Sequence, residues 1–369
     1  MNIKSCCKSM IVMPLTKIQY RFTKEKLDID NESALKTLDE IRKNRPCIVE
    51  CDNEICPEYD LMIVMPVYKV EKYLRDCITS ILEQKTDYTY QLVIVDDGSP
   101  DDSGKIADEY AKGDSRIRVI HQKNAGVACA RNAAMKRITG RYLMFVDSDD
   151  TLYPGAIQNL MKKAYDEKAD IVEGGYNIVL ENGKIKSTIR YEDSTGNADL
   201  WNHHGAPWGK VFKAEVFEHL QYPGGFDHDD SIMKYCAFQL AEEKRTISSI
   251  VYNFRVNPTS ITHTANKSEK GIDTYYVSLR LWSYYVEKFD VNKAFQHQVL
   301  NQIALNFKRT EYWGDTVLKS GFCLERSSYV EMFSEGFDVN GKYLYLDKAL
   351  READFGKYKL ICSRWSKLK

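Results

Sequence analysis

No uninterrupted apolar run in this chain approaches the ~18 residues that a membrane-spanning helix needs. Net charge is almost absent as well: 52 Lys and Arg stand against 53 Asp and Glu, leaving −1 at neutral pH. That balance excludes a globally basic nucleic-acid binder and a strongly acidic disordered chain. The stretch Met1 to Leu15 holds Lys4 and Lys8 but no long apolar core and no small-residue cleavage site. A secretory leader is not expected there. Among the ten cysteines no C-x-x-C occurs. Cys6 and Cys7 are adjacent, Cys47, Cys51 and Cys56 cluster loosely, and no His pair stands near them to complete a zinc cage. In a chain of 369 residues they read as free or buried thiols of a reducing cytoplasm, not as a disulfide framework. Also missing are G-x-G-x-x-G after a strand and G-x-x-x-x-G-K-[ST], which argues against dinucleotide oxidoreductases and P-loop NTPases. The absence of G-x-S-x-G and H-E-x-x-H weakens hydrolase and zincin readings.

What remains is an ordinary globular composition, 43% hydrophobic and 28% charged, long enough for two or three domains. Between Leu61 and about Tyr176, short apolar runs alternate with amphipathic segments. The runs are Leu61 to Val64, Leu92 to Val95, Ile117 to Ile120, Tyr142 to Val146 and one beginning at Asp170. Between the first two, Val70, Tyr73, Leu74, Cys77, Ile78, Ile81 and Leu82 recur at helical spacing. Further helices are expected around Ile106 to Ala111, over Gly126 to Arg137, and after Pro154. This alternation predicts an α/β fold, a mostly parallel sheet covered by helices on both faces. Asn177 to Arg190 reads as a hairpin turning at Asn182-Gly183. One helix is expected over about Glu32 to Lys43. From about Ser268 onward the pattern is largely helical and rich in Tyr and Trp.

Two acidic clusters follow two of the strand runs: Asp96-Asp97-Gly98-Ser99 and Asp147-Ser148-Asp149-Asp150. In open α/β sheets, ligands bind outside the carboxyl ends of the strands. Helix capping accounts for one Asp per helix, not for two clusters at equivalent strand ends. So many carboxylates on one rim repel one another unless a cation neutralises them. An Asp-x-Asp offers hard oxygen ligands to Mg²⁺ or Mn²⁺, and a cation so held typically carries substrate phosphates.

At this point the residues show a resemblance. Met62-Ile63-Val64-Met65-Pro66-Val67-Tyr68, Val93-Ile94-Val95-Asp96-Asp97-Gly98-Ser99, Asn124-Ala125-Gly126 with Ala130-Arg131-Asn132, and Phe145-Val146-Asp147-Ser148-Asp149-Asp150 together resemble family 2 glycosyltransferases of the GT-A fold. Pro207-Trp208-Gly209-Lys210-Val211-Phe212-Lys213 resembles that family's W-x-K-L-F-K segment. Phe226-Asp227-His228-Asp229-Asp230 falls at its E-D pair. Tyr252-Asn253-Phe254-Arg255 with Ser260-Ile261-Thr262 resembles the Y-x-x-R and S-I-T segment of bacterial polysaccharide enzymes. The resemblance covers about Asp60 to His263. It implies that Pro66, Val67 and Tyr68 border the nucleotide base, that Asp96 or Asp97 hydrogen-bonds it, and that Arg131 contacts the donor's phosphate or ribose side. It implies that Asp149 ligates Mn²⁺ or Mg²⁺, with Asp147 nearer the ribose, and that Asp230 is the catalytic base. Asp229 replaces the family's Glu, so Asp229 is a second candidate for the base. Asn124, Gly126, Ser148, Arg255 and Ser260 stand in the same motifs and are expected on the substrate side. Trp208 stacks on a sugar ring or closes the core; Lys210 meets a phosphate or is solvated. His263 is a further metal-ligand candidate or a surface histidine.

The implied domains are an N-terminal extension, 1–57, a GT-A glycosyltransferase domain, 58–265, and a helical region, 266–369. The implied activity is metal-dependent, inverting transfer from a nucleotide-diphospho-sugar, UDP-linked by expectation, to a saccharide or lipid-linked hydroxyl. Two rivals stand beside it. One is a non-catalytic nucleotide-sugar-binding or scaffold protein on the same fold. The other is a nucleotidyltransferase, which would need a Gly-rich phosphate loop near the first strand. The expected location is cytoplasmic. The basic, aromatic-laced run 355–369 either rests on an anionic membrane surface or packs on its own domain.

Overall fold

A computed structural model describes residue 25 and residues 27–194, 196–257 and 268–365. It divides into two compact units. One spans 47–260; the other joins the described parts of 1–46 and 261–369.

The first unit is built on one nine-stranded sheet. Its strands are β1 (Glu54–Val67), β2 (Tyr90–Asp96), β3 (Ile117–His121), β4 (Arg137–Phe145), β5 (Thr151–Leu152), β6 (Ile171–Val179), β7 (Ile185–Ile189), β8 (Lys210–Lys213) and β9 (Lys244–Arg255). The order is β3-β2-β1-β4-β8-β6-β9-β5, with β7 hydrogen-bonded to β6. β3, β2, β1 and β4 are mutually parallel, as are β6 and β9; β8 runs antiparallel between β4 and β6.

The apolar runs become the strands because both sheet faces are covered. Leu61, Ile63 and Met65 face the cluster formed by α1 (Glu71–Leu82) through Leu74, Cys77, Ile78 and Ile81, and by α2 (Ala156–Asp166) through Ile157, Leu160 and Met161. The alternate face holds Phe145, which meets Phe212, Phe217 and Tyr222 edge to face. The helix Val127–Met135 packs on β1 and β2. β1 begins seven residues before the apolar run that marks it in the sequence. Its first half is exposed or half-buried, so it carries no continuous apolar signal, and Pro57 lies where the register shifts between Ile55 and Tyr59. Proline is tolerated at such irregularities. The hairpin forms as expected: β6 and β7 pair antiparallel around Gly183, whose φ is +79°.

In the second unit the N-terminal helix Asn31–Ile41 is capped by Asp30, which accepts the Ser33 N–H at 2.8 Å. It packs on the helix Asp315–Met332. Arg42 grips the buried Asp273 with two hydrogen bonds of 2.9 Å. The basic run forms the helix Phe355–Trp365. Phe355, Tyr358, Ile361 and Cys362 are buried, Lys357 pairs with Glu352 and Asp354, and Lys359 pairs with Asp315. Leu360 and Trp365 on the same helix are half-buried. Residues 366–369 lie outside the described residues. Among those residues no helix is long and apolar enough to cross a membrane, and the described cysteines are free thiols.

Candidate active site

Strand register gathers the acidic residues. Val67 pairs with Asp96 and Val64 with Phe145, which sets Asp147 level with Pro66. The ends of β2 and β4, on either side of the end of β1, thus carry their acids to one rim, the place a parallel sheet offers a ligand. The turn after β2 depends on Gly98. Its φ is +69°, and a Cβ there would lie 2.9 Å from the Asn124 backbone nitrogen. A side chain would collide as well as strain the turn.

Asp96 and Asp97 are both buried, and both are engaged. Asp96 accepts the Ser99 N–H at 3.0 Å and meets His121 Nδ1 at 2.9 Å. The far nitrogen of His121 meets Asp108 at 3.0 Å. Hydrogen bonds to these two carboxylates raise the His121 pKa against the smaller effect of burial. Asp97 accepts Ala125 N–H at 2.9 Å, Gly126 N–H at 2.8 Å and the Gln122 amide at 2.7 Å. It staples the loop that opens the helix Val127–Met135.

From that helix comes Arg131, 3% exposed. Its guanidinium donates to Asp229 at 2.9 Å, to Asp230 at 3.2 Å and to Asp147 at 3.0 Å. It also lies over the Tyr222 ring, 5.1 Å from the centroid. Burial opposes its charge, but the three carboxylates hold its pKa well above the ordinary value. Asp229 is buried and Asp230 half exposed at the side chain. Burial first, then the Asp230 charge, push Asp229 up to about 7 although Arg131 pulls the other way. The preceding residue, His228, adopts φ +66°. A non-glycine residue in that region is strained, and such strain concentrates at functional sites.

On the other side of Asp147, its N–H donates to the Tyr252 hydroxyl at 3.0 Å. Asp149 accepts the Asn257 amide at 3.2 Å, and its carbonyl accepts Arg255 Nε at 2.9 Å. Asp150 accepts the Arg255 backbone N–H at 2.6 Å. Arg255 lies over the Tyr73 ring at 4.9 Å. Burial and the Asp147 charge raise the Asp149 pKa. Burial and both neighbouring acids raise Asp150 well above the carboxylate range, and its buried Oδ2 has no hydrogen-bond partner. These are hard oxygen donors in a surplus of negative charge, the chemistry a divalent cation relieves. Among the described residues no three His, Cys, Asp or Glu side chains form a cage by themselves. The residues therefore fit a cation held by one or two carboxylates and completed by phosphate and water.

Other sequence candidates are placed differently. Val67 is buried at the end of β1, whereas Tyr68 is exposed beneath Lys69. Asn124 and Gly126 are exposed on the stapled loop, and Ser148 is buried between the two acids. Trp208 is interior: it stacks on Tyr252 and Phe254 and meets Tyr176 edge on, so its face is taken by core rings. Lys210 is 1% exposed and bound to Glu173 at 2.9 Å, not directed at a phosphate. Ser260 and His263 lie outside the described residues. Sequence reasoning missed His121, Tyr222 and Glu173. Glu173 had a visible signal, a lone charge inside the apolar run from Ile171 to Tyr176.

The sheet, with its acidic rim, has the GT-A arrangement. Residues 62–220 match glycosyl transferase family 2. The chain is 34% identical to the Bacillus subtilis uncharacterized glycosyltransferase EpsJ over 227 residues, 56% of this chain and 63% of EpsJ. It is 30% identical to the Streptococcus pneumoniae glycosyltransferase GlyG over 221 residues, 55% of this chain and 73% of GlyG. In fold it is similar to S. aureus TarS residues 1–349, solved with UDP-GlcNAc: TM-score 0.65, 17% identity, covering 84% of this chain and 92% of that one. The chain belongs to glycosyl transferase family 2. It spans less than two thirds of the length of several of its relatives, EpsJ among them.

Proposed function

We propose that this protein transfers a sugar from a nucleotide-diphospho-sugar, with a UDP-linked donor, to a hydroxyl of a saccharide or lipid-linked acceptor, inverting the anomeric configuration. The observation that carries the reading is the junction at Arg131. One buried guanidinium ties Asp147 of the Asp-x-Asp to Asp229 and Asp230, so the donor side and the base side share one electrostatic centre. TarS, of the same fold, was solved with UDP-GlcNAc, which is why UDP-sugars head the donors to test.

Asp149, with Asp147, would hold Mn²⁺ or Mg²⁺, which would supply positive charge against the departing diphosphate. Arg255, anchored on the Asp149 carbonyl, adds positive charge on that side. Asp230 is the general base. Its carboxylate is half exposed and so reachable by an acceptor, whereas Asp229 is buried and serves to hold Arg131. The acceptor oxygen forms the new bond to the anomeric carbon as the bond to the diphosphate oxygen breaks, and its proton passes to Asp230. A positioned base typically contributes ~10²–10⁴-fold.

The test is nucleoside diphosphate release from a panel of UDP-, GDP- and dTDP-sugars with Mn²⁺. Release from one donor is expected, abolished by EDTA and by Asp149→Ala. Asp230→Ala is expected to lower turnover ~10²–10⁴-fold while leaving UDP affinity intact. Metal-independent release, or an Asp230→Ala variant at full rate, would overturn the reading.

A further inference from the structure

Behind the rim lies a charged cluster that the proposed chemistry does not use. Glu173, on β6, is 1% exposed. Three donors converge on it: Lys210 Nζ at 2.9 Å, the Tyr191 hydroxyl at 3.1 Å and His203 Nδ1 at 2.8 Å. The Lys210 ammonium also reaches the carbonyl oxygens of His204 at 3.3 Å, Ala206 at 3.1 Å and Trp208 at 3.3 Å. Stability alone is a poor reason to keep such a pair, because apolar residues of the same volume are often as good or better. What the pair does is geometric. It draws three carbonyls of the 204–208 loop onto one buried point. Gly209, at φ +72°, then lets the chain turn into β8. The indole held at the end of that loop lies flat on Tyr252, centroids 4.7 Å apart and planes 5° apart. Tyr252, fully buried, receives the Asp147 N–H on its hydroxyl.

We propose that Glu173 is a positioning residue. Through Lys210, the 204–208 loop, Trp208 and Tyr252 it fixes the backbone of Asp147 at the rim. That Asp147 serves donor binding rests on the proposed function; the chain of contacts does not.

The test is amide hydrogen exchange on the full chain, read by mass spectrometry, for Glu173→Gln, Tyr252→Phe and the double variant. Glu173→Gln keeps the shape and removes the charge. Peptides covering 204–210 and 145–150 should exchange roughly five- to tenfold faster, the size of losing a buried hydrogen bond. Peptides from β2 and β3 should not change. Tyr252→Phe should affect 145–150, and the double variant should match it there, because both act through one path. Uniform acceleration throughout the unit, or an unchanged 145–150 beside a faster 204–210, overturns the proposal. Should Glu173→Gln fail to fold, Glu173→Gln with Lys210→Met removes both buried charges. Accelerated exchange at 145–150 supports the proposal and wild-type exchange there overturns it. UDP titration with Mn²⁺ adds a second readout: affinity should fall several-fold in each single variant and no further in the double. Equal affinity in all variants overturns the proposal. A wild type that binds no UDP, with the exchange pattern intact, sinks the transferase reading and leaves the positioning role standing.

Discussion

Replacing Arg131 with Met removes one charge from among three carboxylates and keeps part of the packing over Tyr222. Deleting one partner of a buried ion pair costs ~3–5 kcal/mol, because the other charge stays buried. Here that applies in full to Asp229, whose side chain is 7% exposed. Asp147 and Asp230 are 29% and 51% exposed, so solvent screens their share. The cost must then follow the protonation of Asp229, which titrates near 7 with Arg131 in place. That lies above its unfolded value of about 3.9, so the folded state holds more protons and this group's contribution to stability declines from pH 4 to 7. Without Arg131 the folded pKa climbs further and the decline continues past 7. At pH 5 the carboxyl is protonated in both proteins, and the variant loses mainly hydrogen bonds, about 1–2 kcal/mol. At pH 8 the wild type holds an ionised, paired Asp229. The variant must keep it protonated, at ~1.4 kcal/mol for each unit of rise. The deficit should therefore grow by about 1.4 kcal/mol between pH 5 and pH 8, all of it above pH 7, where only the variant goes on losing stability. Urea unfolding followed by tryptophan fluorescence, without divalent cation, reads it directly. A deficit equal at the two pH values, or larger at pH 5, refutes the reasoning and means that Arg131 does not neutralise Asp229.

Two further substitutions probe the loops that shape the rim. His121→Gln should destabilise more at pH 5.5 than at pH 8.5. A raised folded pKa contributes fully below about 6.5 and is lost as the pH rises through it; the half-exposed ring keeps the effect small. Equal shifts in Tm at the two pH values would show that His121 is not a charged partner of Asp96 and Asp108. Gly98→Ala should cost ~1–3 kcal/mol through its positive φ and the clash with Asn124, and should weaken UDP binding as well; urea unfolding with a loss under about 0.5 kcal/mol, the range of an ordinary surface change, would contradict this.

The sheet was legible because its strands are buried on both faces and so read as unbroken apolar runs. Where a strand is exposed, as from Glu54 to Asp60, the signal vanishes. The rim acids were equally legible, since a parallel sheet fixes where such residues must lie. Their partners were not. Arg131 and Asp229 are separated by 98 positions, and Asp96 meets His121 across 25; no local pattern announces either pairing. Trp208 shows the limit from the other direction. Aromatic character serves a sugar face and a core stack equally well, and only the rings of Tyr252 and Phe254 decide between them. Glu173 lies between these cases. A carboxylate inside a buried strand must have a partner, since an isolated charge in the interior costs far more than folding can supply. The sequence therefore shows that a cation is coming without showing which, and Lys210 is also the residue whose own position suggested a phosphate contact. The two ambiguities resolve each other: the carboxylate that needs a cation takes the lysine that seemed to need an anion.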